Sequence, residues 1–387
     1  MSMHPIPIRV LQVVGDMRVG GGIQHILMNI YQNMDRSIIQ YDFLVRRPKG
    51  TFDYEEEINK LGGTVYRLSS PKKHLVSYFI SNYRFFKNHP EYTIIQNHIC
   101  TSIAFFNVIP ALLTGRRTII MHSHNTDWDI KKQLKLFKPL IKLFHPLLRM
   151  IQNHLTDYFF SISKAAGVWS FGKKVVNSNK HYIIFNGQNL NQFSYNKKRR
   201  QDYRNKLHLN GQFVIGHIGR FAEQKNHQFL IHIFEQLVKI KPNAVLMLIG
   251  AGEEQVHIKQ LVKDQNLSRN VLFLGIRKDI PSLLQVMDVF VMPSLYEGLG
   301  NAAIEAQASG LITIVSDVLP EEVKITNLLR PYPLQKSAKE WAIKIINSCQ
   351  TYKRQQVSLP NSKYNVRSVA TQLQHLYISM RVNNKKE

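Results

Sequence analysis

The chain has 387 residues, which at 100 to 200 residues per domain predicts two or three domains, with two the better estimate. Hydrophobic residues make up 44% of it and aromatic residues 10%, a composition that excludes a wholly disordered protein. The 51 Lys and Arg residues outnumber the 26 Asp and Glu residues, and the net charge is +25. This excess predicts a polyanionic partner: nucleic acid, an anionic membrane surface or a phosphorylated substrate.

The two cysteines, Cys100 and Cys349, are too few for a disulfide framework and lack the paired spacing of a zinc site. The N-terminal segment has neither the basic nor the apolar region of a signal peptide. The longest apolar stretch, residues 99–113, is shorter than the roughly 20 residues that cross a bilayer. We therefore expect a cytoplasmic protein without a transmembrane helix.

Apolar runs of strand length alternate along the chain with stretches of helical periodicity. In the first half the predicted strands are Ile8–Val14, Tyr41–Val45, Thr64–Arg67, Thr93–Gln96, Thr118–His122, Tyr158–Ser163 and Tyr182–Ile184. After the turn at Asn186-Gly187 they are Phe213–His217, Ala244–Ile249, Val271–Leu274, Val289–Met292 and Ile312–Val315. Continuous apolar runs are typical of parallel strands covered by helices on both faces. The sequence therefore predicts two doubly wound α/β units in tandem.

The boundary between these units is predicted near residues 186–200, where Asn196–Arg200 reads as a charged, hydrophilic linker. Residues 364–380 have helical spacing of apolar side chains and predict a terminal helix. No repeat of 20 to 50 residues is present, which disfavours solenoids and propellers.

The stretch Met292–Gly310 follows a predicted buried strand and leads into an Ala-rich helix. Gly300 allows close backbone approach to a ligand, and Asn301 is expected to cap the helix, whose first-turn amides attract a diphosphate. Glu297 in the loop and Glu305 one turn inside the helix are predicted to bracket a sugar nucleotide. The alternative interpretation is an ordinary loop carboxylate and a surface helix residue.

Two basic residues, Arg220 and Lys225, follow the strand Phe213–His217. They lie beyond the carboxyl end of that strand, where doubly wound sheets bind ligands, and their charges suit a diphosphate. Solvated surface residues are the alternative, and the two glutamates in the same half favour the functional interpretation.

The glycine-rich turn Gly20–Gly22 follows the first strand and allows close approach to an anion. Neither this turn nor Gly250-Ala-Gly252 fits Gly-x-Gly-x-x-Gly, so a nicotinamide dehydrogenase is not expected. His122 and His124 form a His-x-His pair at a strand end, without nearby Cys or patterned Asp. We expect them to form a polar wall for a substrate rather than a zinc site, and the other histidines show no clustering.

A basic stripe accompanies apolar residues in the segment 131–151. It consists of Lys131, Lys135, Lys138, Lys142, His145 and Arg149. Such a face predicts peripheral association with anionic lipid, the alternative being a core helix with a solvated basic face. Pro139 and Pro146 predict two short helices or a kink.

A series of motifs then runs nearly from end to end of the chain, and their order is more specific than any one of them. They are Gly20-Gly-Gly-Ile-Gln24, His122-Ser-His-Asn-Thr126, Ser163-Lys-Ala-Ala-Gly167, Phe185-Asn-Gly187, Gly219-Arg220 with Lys225, Gly275-Ile-Arg-Lys-Asp279, Glu297 with Glu305, and Ser316–Val323. In these residues the chain resembles the retaining glycosyltransferases of family 4, most closely the exopolysaccharide and capsule branch.

The resemblance implies the GT-B fold, in which two Rossmann-like domains face a central cleft. Residues 1–188 would form the acceptor-binding domain and residues 189–364 the nucleotide-sugar-binding domain. The C-terminal helix, residues 365–387, would cross back to the first domain.

The resemblance also implies roles for individual residues. Glu305 would bind the ribose of a nucleotide sugar, Glu297 the sugar hydroxyls, and Arg220 and Lys225 the diphosphate. The remaining expected contacts are backbone amides of Gly300, Asn301 and Ala302 at the phosphates, Arg277 near the base, His124 beside the reacting sugar carbon, and Gly21 and Gly22 under the phosphates. No bound metal and no cofactor is expected, and the sugar donor is a substrate.

The predicted function is transfer of a hexose from a nucleoside-diphosphate sugar, a UDP-sugar, to a lipid-linked saccharide in exopolysaccharide or capsule synthesis. The predicted place is the cytoplasm, at the anionic inner face of the membrane. One alternative is a non-catalytic GT-B-like partner subunit of a glycosyltransferase complex. A nucleic-acid binder is disfavoured because no recognition module is present and the basic residues are dispersed.

Overall fold

A computed structural model describes residues 6–15, 17, 22–46, 52–68, 75–98, 104–124, 138–359 and 363–386. The chain divides by its internal contacts into unit 1, Met1–Gln188 with Ser362–Glu387, and unit 2, Asn189–Asn361. Each unit contains one parallel sheet with helices on both faces. The prediction of two Rossmann-like α/β units is confirmed.

Unit 1 has a seven-stranded sheet in the order β3-β2-β1-β4-β5-β6-β7. Its strands are β1 (Ile8–Val14), β2 (Ile39–Val45), β3 (Val65–Arg67), β4 (Ile94–Asn97), β5 (Thr118–Ser123), β6 (Tyr158–Ser161) and β7 (His181–Ile183). Its helices are α1 (Gly22–Gln32), α2 (Glu55–Lys60), α3 (Leu75–Asn88), α4 (Phe105–Leu113), α5 (Lys138–His154), α6 (Lys164–Phe171), α7 (Lys173–Val176) and, at the C-terminus, α14 (Val366–Lys386).

Unit 2 has a six-stranded sheet in the order β10-β9-β8-β11-β12-β13. Its strands are β8 (Phe213–Ile218), β9 (Ala244–Ile249), β10 (Val271–Phe273), β11 (Val289–Met292), β12 (Ile312–Ser316) and β13 (Leu329–Tyr332). Its helices are α8 (Lys197–Lys206), α9 (His227–Ile240), α10 (Gln255–Asp264), α11 (Ile280–Val286), α12 (Asn301–Ala308) and α13 (Ala338–Cys349).

The C-terminal helix α14 belongs to the core of unit 1, as the expected return to the first domain requires. It packs against α1. Val369, Leu373 and Tyr377 are buried in one hydrophobic cluster with the β1 and β2 side chains. The hydroxyl of Tyr377 also lies 3.0 Å from that of Tyr41 on β2, so a polar contact fixes the helix against the sheet.

The expectation of a hydrophilic linker at Asn196–Arg200 is wrong, because these residues begin helix α8. The Asn196 side chain caps the helix by accepting a hydrogen bond from the Arg199 amide. Arg200 donates to Asp288 and to carbonyl groups at the end of α11, and Arg204 donates to the Val286 carbonyl. The charges that resembled a linker therefore satisfy the C-terminus of a neighbouring helix.

Two further expectations differ from the structure. Strand β13 was not predicted; it lies at the sheet edge, where Pro331 can be tolerated because no further strand needs its missing amide. Of the two alternatives expected around Pro139 and Pro146, two short helices or a kink, the first is wrong, since α5 is one helix that contains Pro146. Pro139 lies in its first turn, where the amide has no intrahelical acceptor. Among the described residues, no helix combines the length and apolar character needed to cross a bilayer.

Candidate nucleotide-sugar site

The strand order places the candidate residues at the two edges where parallel sheets bind ligands. Strand β1 lies between β2 and β4, and β8 lies between β9 and β11. In each sheet the strand order therefore reverses beside the first strand of the unit. Ligands of doubly wound sheets bind outside the carboxyl ends of the strands at such points. Arg220 follows β8 and Glu297 follows β11 in unit 2, whereas His124 follows β5 in unit 1.

Lys225 and Glu297, predicted to bind different parts of a donor, form a buried ion pair. The Lys225 Nζ lies 2.6 Å from the Glu297 Oε1, and their side chains are 17% and 6% exposed. The side-chain Nε2 of Gln224 lies 3.4 Å from the other carboxylate oxygen of Glu297, Oε2. The Asn226 side chain donates to the Pro293 carbonyl, which joins the same two loops. The loops after β8 and β11 thus form one charged assembly.

Arg220 is exposed, and the loop that carries it rests on the loop after β9. The Gly219 amide donates to the Ile249 carbonyl and the Phe221 amide to the Ala251 carbonyl. Gly250 has φ of +136°, and a Cβ there would lie 2.0 Å from the Gly219 carbonyl oxygen. Only glycine fits this approach. The Gly250-Ala-Gly252 segment, which does not match a dinucleotide motif, therefore supports the Arg220 loop.

Helix α12 begins one residue earlier than expected. Gly300 is the N-cap, with φ of 88° and ψ of 53°, and Asn301 is the first helical residue, so the prediction that Asn301 caps the helix is wrong. Left-handed backbone costs least free energy at glycine, which explains why the turn enters the helix through Gly300. The amides of Asn301 and Ala302 fall in the first turn, where a helix favours an anion.

Glu305 lies one turn inside α12 and is partly buried, between the fully buried Ile304 and Ala306. Burial raises the pKa of its carboxyl to about 8. Within the described residues the structure gives this carboxyl no hydrogen-bond partner, unlike Glu297. It is thus placed to accept hydrogen bonds from a ligand near the helix N-terminus.

Arg277, expected near the nucleotide base, makes two contacts with Asp279. The Arg277 Nε and Nη2 lie 2.8 and 2.6 Å from the two carboxylate oxygens. The Asp279 carboxyl has a lowered pKa, mainly because of this bidentate pair. Arg277 is therefore held in place by Asp279 in the structure.

In unit 1, His122 and His124 are joined by His98, so the expectation that no other histidine clusters with them is wrong. His98 follows β4 directly, and β4 pairs with β5 so that Asn97 is opposite Met121. The His98 Nδ1 lies 2.8 Å from the His124 Nε2, and all three rings are buried. Strand order, which single-sequence patterns do not reveal, brings them together.

The three rings are electrically neutral at ordinary pH. Burial lowers the pKa of His124 to about 3 and lowers those of His98 and His122 well below the usual value. Of the described residues, these three histidines are the group whose ligand atoms lie close enough together to hold a metal ion, within 4.8 Å of one another. Gly21 lies outside the described residues, and Gly22 is the first residue of α1.

The sequence of unit 2 matches the family described as "Glycosyl transferases group 1", over residues 199–332. The matched segment contains Arg220, Lys225, Glu297 and Glu305. It therefore includes the loops after β8 and β11 and most of unit 2.

Over a longer stretch, the chain is similar to EpsF of Bacillus subtilis (strain 168), whose name describes it as a glycosyltransferase. The two are 33% identical over 323 residues, which is 81% of this chain and 80% of EpsF. A shorter match, 38% identical over 109 residues, is to an Escherichia coli galactosyltransferase named for UDP-Gal and α-D-GlcNAc-diphosphoundecaprenol. It covers 27% of this chain and 28% of that enzyme.

The fold is similar to that of Anabaena HepE, whose structure was solved in complex with UDP-glucose. The TM-score is 0.70 at 18% identity, covering 97% of this chain and 99% of HepE. This likeness concerns the fold, which is GT-B. Since the identity to EpsF extends over four fifths of both chains, the protein belongs to the group 1 glycosyltransferases.

Proposed function

We propose that the protein transfers a hexose from a UDP-sugar to a lipid-linked saccharide in the synthesis of an exopolysaccharide or capsule, with retention at the sugar carbon. The observation that carries the donor half is the assembly in unit 2: the Lys225–Glu297 pair 2.6 Å apart beside the N-terminus of α12, with the partly buried Glu305 one turn inside. The UDP complexes of HepE and the UDP-Gal named for the E. coli relative support a uridine donor.

In this proposal each group has one task. Glu305 accepts hydrogen bonds from the ribose hydroxyls, and Glu297 accepts from hydroxyls of the sugar. Arg220, Lys225 and the first-turn amides of α12 neutralise the diphosphate as it departs, so the donor needs no metal ion for this charge. Arg277 lies near the base. The roles implied for residues of unit 1 belong to the same proposal: His124 would contact the sugar, and Gly21 and Gly22 would contact the phosphates.

Transfer then requires no protein nucleophile. The bond between the sugar carbon and the departing phosphate oxygen breaks, and the bond to the acceptor hydroxyl oxygen forms on the same face. The proton of that hydroxyl passes to the departing phosphate. The protein contributes orientation and stabilisation of charge, which act most strongly in a preorganised site.

The proposed activity is tested by incubating the protein with UDP-glucose, UDP-galactose, UDP-N-acetylglucosamine and GDP-mannose and measuring both thermal stabilisation and slow hydrolysis. One UDP-sugar is expected to raise the melting temperature and to release UDP, since a bound donor stabilises the folded state by mass action. Stabilisation by none of the four, or by GDP-mannose alone, would contradict a UDP-sugar donor and favour a non-catalytic partner subunit or another base.

Peripheral binding to the anionic inner face of the membrane belongs to the same proposal. On α5 the side chains of Leu147, Met150 and Ile151 share one face and are 50%, 62% and 41% exposed. The same helix contains Lys138, Lys142 and Arg149. The side chains of residues 131–145 in the basic stripe lie outside those described. An apolar face beside basic residues is the usual pattern of an interfacial helix.

Sedimentation with anionic phospholipid vesicles at low salt tests this binding. We expect the protein to sediment with the vesicles and the triple variant Lys135→Glu, Lys138→Glu, Lys142→Glu to remain in solution. Lys259→Glu, Lys263→Glu, Lys339→Glu changes the net charge equally on unit 2 and should still sediment. An equal loss of sedimentation in both triple variants would show that net charge alone causes the binding. If the unmodified protein did not sediment with the vesicles, the proposed membrane binding would be refuted.

A further inference from the structure

Gln224, the residue before Lys225, connects the loop after β8 to the loop after β11. It lies in a short 3-10 helix, and its backbone carbonyl accepts a hydrogen bond of 2.8 Å from the Leu295 amide. Two residues further on, the Asn226 side chain donates to the Pro293 carbonyl at 3.1 Å. The backbone of Gln224 is therefore fixed against the second loop, and its side chain starts from a defined position.

The contacts of the Gln224 side chain determine how its amide group is oriented. Its Nε2 lies 3.0 Å from the Tyr296 carbonyl oxygen and 3.4 Å from the Glu297 Oε2. A carbonyl and a carboxylate oxygen only accept hydrogen bonds, so the nitrogen, which carries two hydrogens, must face them. One hydrogen thus serves the backbone of the loop after β11, and the other serves the carboxylate that is expected to contact the sugar.

The two oxygens of the Glu297 carboxylate have different partners. The Lys225 Nζ lies 2.6 Å from Oε1, whereas the contact of the Gln224 Nε2 with Oε2 is longer. Glu297 is 6% exposed, and in such surroundings a cation attracts a carboxylate more strongly than a neutral amide does. In the structure the lysine therefore determines where the carboxylate lies, and the amide is the weaker support.

A bound UDP-sugar would act differently on these two contacts. In the proposed function Lys225 also neutralises the diphosphate, so its ammonium group is divided between the phosphate oxygens and Glu297. Gln224 carries no charge, and a diphosphate attracts it far less than it attracts the ammonium group. The Gln224 contact therefore remains, and it shortens as the attraction of Lys225 for the carboxylate weakens. Catalytic hydrogen bonds are often long without substrate and tighten when it binds.

We propose that Gln224 is the positioning residue of Glu297 and holds its carboxylate toward the hydroxyl groups of the sugar while Lys225 binds the diphosphate. This inference rests on the proposed function, which assigns the sugar hydroxyl groups to Glu297. It also divides the site into two parts. Lys225 contributes to binding of the UDP portion, and Gln224 contributes to binding of the sugar portion alone, through Glu297.

Calorimetry with UDP, UDP-glucose, UDP-galactose and UDP-N-acetylglucosamine tests this division. Gln224→Met keeps the length of the side chain and removes the amide group. In this variant the affinity for the UDP-sugar that the unmodified protein prefers should fall about tenfold, because a hydrogen bond to a charged group is lost. The affinity for UDP should stay unchanged, which also shows that the variant is folded. An equal fall for UDP and the UDP-sugar, or no fall for either, would overturn the proposal.

A double-mutant cycle separates positioning of Glu297 from a role in joining the two loops. Glu297→Ala removes the carboxylate through which Gln224 is proposed to act. Adding Gln224→Met to this variant should therefore change the affinity for the UDP-sugar less than about twofold. If Gln224 only joined the loops, the substitution would cost about the same tenfold with and without Glu297, and the proposal would be overturned.

Gln260 on α10 provides the matched control. Its Nε2 also donates to a carboxylate, the Asp264 Oδ1 at 2.8 Å, but this pair lies on the exposed surface of the helix. Gln260→Met should change none of these affinities. Failure of UDP and all three UDP-sugars to bind the unmodified protein would overturn the proposed function, and the role of Gln224 with it. Normal binding that Gln224→Met leaves intact would overturn the role of Gln224 alone.

Discussion

Replacing Glu305 by glutamine is expected to remove a loss of stability that the unmodified protein undergoes as the pH rises. Burial raises the pKa of this carboxyl from 4.5 to about 8, so between these values the folded protein holds a proton that the unfolded chain has released. The free energy of unfolding therefore falls as the pH rises through this window, by on the order of 3 to 5 kcal/mol in total. Glutamine stays neutral and incurs no such loss.

Urea unfolding at about pH 5, 7 and 9 measures the difference, with Glu235→Gln as the control. Glu235 is a helix carboxylate of unit 2 paired with Lys239. The Glu235→Gln substitution should therefore change the unfolding midpoint little at any of these pH values. The midpoint of Glu305→Gln should match that of the unmodified protein near pH 5 and exceed it near pH 9. If the difference in midpoint between Glu305→Gln and the unmodified protein were the same at all three pH values, the burial of Glu305 would be contradicted.

Removing the lysine of the Lys225–Glu297 pair is the second change with a large expected effect. Lys225→Met would leave the Glu297 carboxylate, 6% exposed, without its cation. Breaking a buried pair from one side costs about 3 to 5 kcal/mol of unfolding free energy. The double variant Lys225→Met, Glu297→Gln carries no buried charge at this position and should recover much of that stability.

Activity should respond differently from stability in this series. If Lys225 stabilises the departing diphosphate, the rate of transfer falls about 10²- to 10³-fold in Lys225→Met and is not recovered in the double variant. The control is Lys239→Met, which breaks the exposed pair with Glu235 and should cost about 1 kcal/mol or less with full activity. Recovery of activity together with stability in the double variant would assign the pair a structural role alone.

The sheets were predictable from the sequence because their strands are buried on both faces. A run such as Val289–Met292 is apolar throughout, and burial of all four residues in the structure accounts for this. Strand β13 escaped the same reasoning because Arg330 and Pro331 interrupt its apolar pattern at the sheet edge. Helix α8 was not predicted because its charged residue Arg200 pairs with Asp288, which is distant in the sequence.

The candidate residues of unit 2 could be selected from local order: strand, glycine loop and helix. Their pairing could not, because Lys225 and Glu297 meet only when β8 and β11 become neighbours. His98 was missed for the same reason, since the contact of β4 with β5 is a property of strand order. Gly250 had a recognisable signal, a glycine directly after a strand, but its function lies in the close approach of another backbone.

The central claim, that unit 2 receives a nucleotide sugar at Glu305, is tested most directly by titrating UDP into the unmodified protein and into Glu305→Gln near pH 7.5 in two buffers of different ionisation enthalpy. Hydroxyl donors favour the charged carboxylate, so binding should release protons from a group whose pKa is about 8. We predict that UDP binds the unmodified protein with proton release and binds the variant at least about tenfold more weakly without it. Equal affinity and equal proton release in the two proteins, or no binding of UDP to the unmodified one, would contradict the claim.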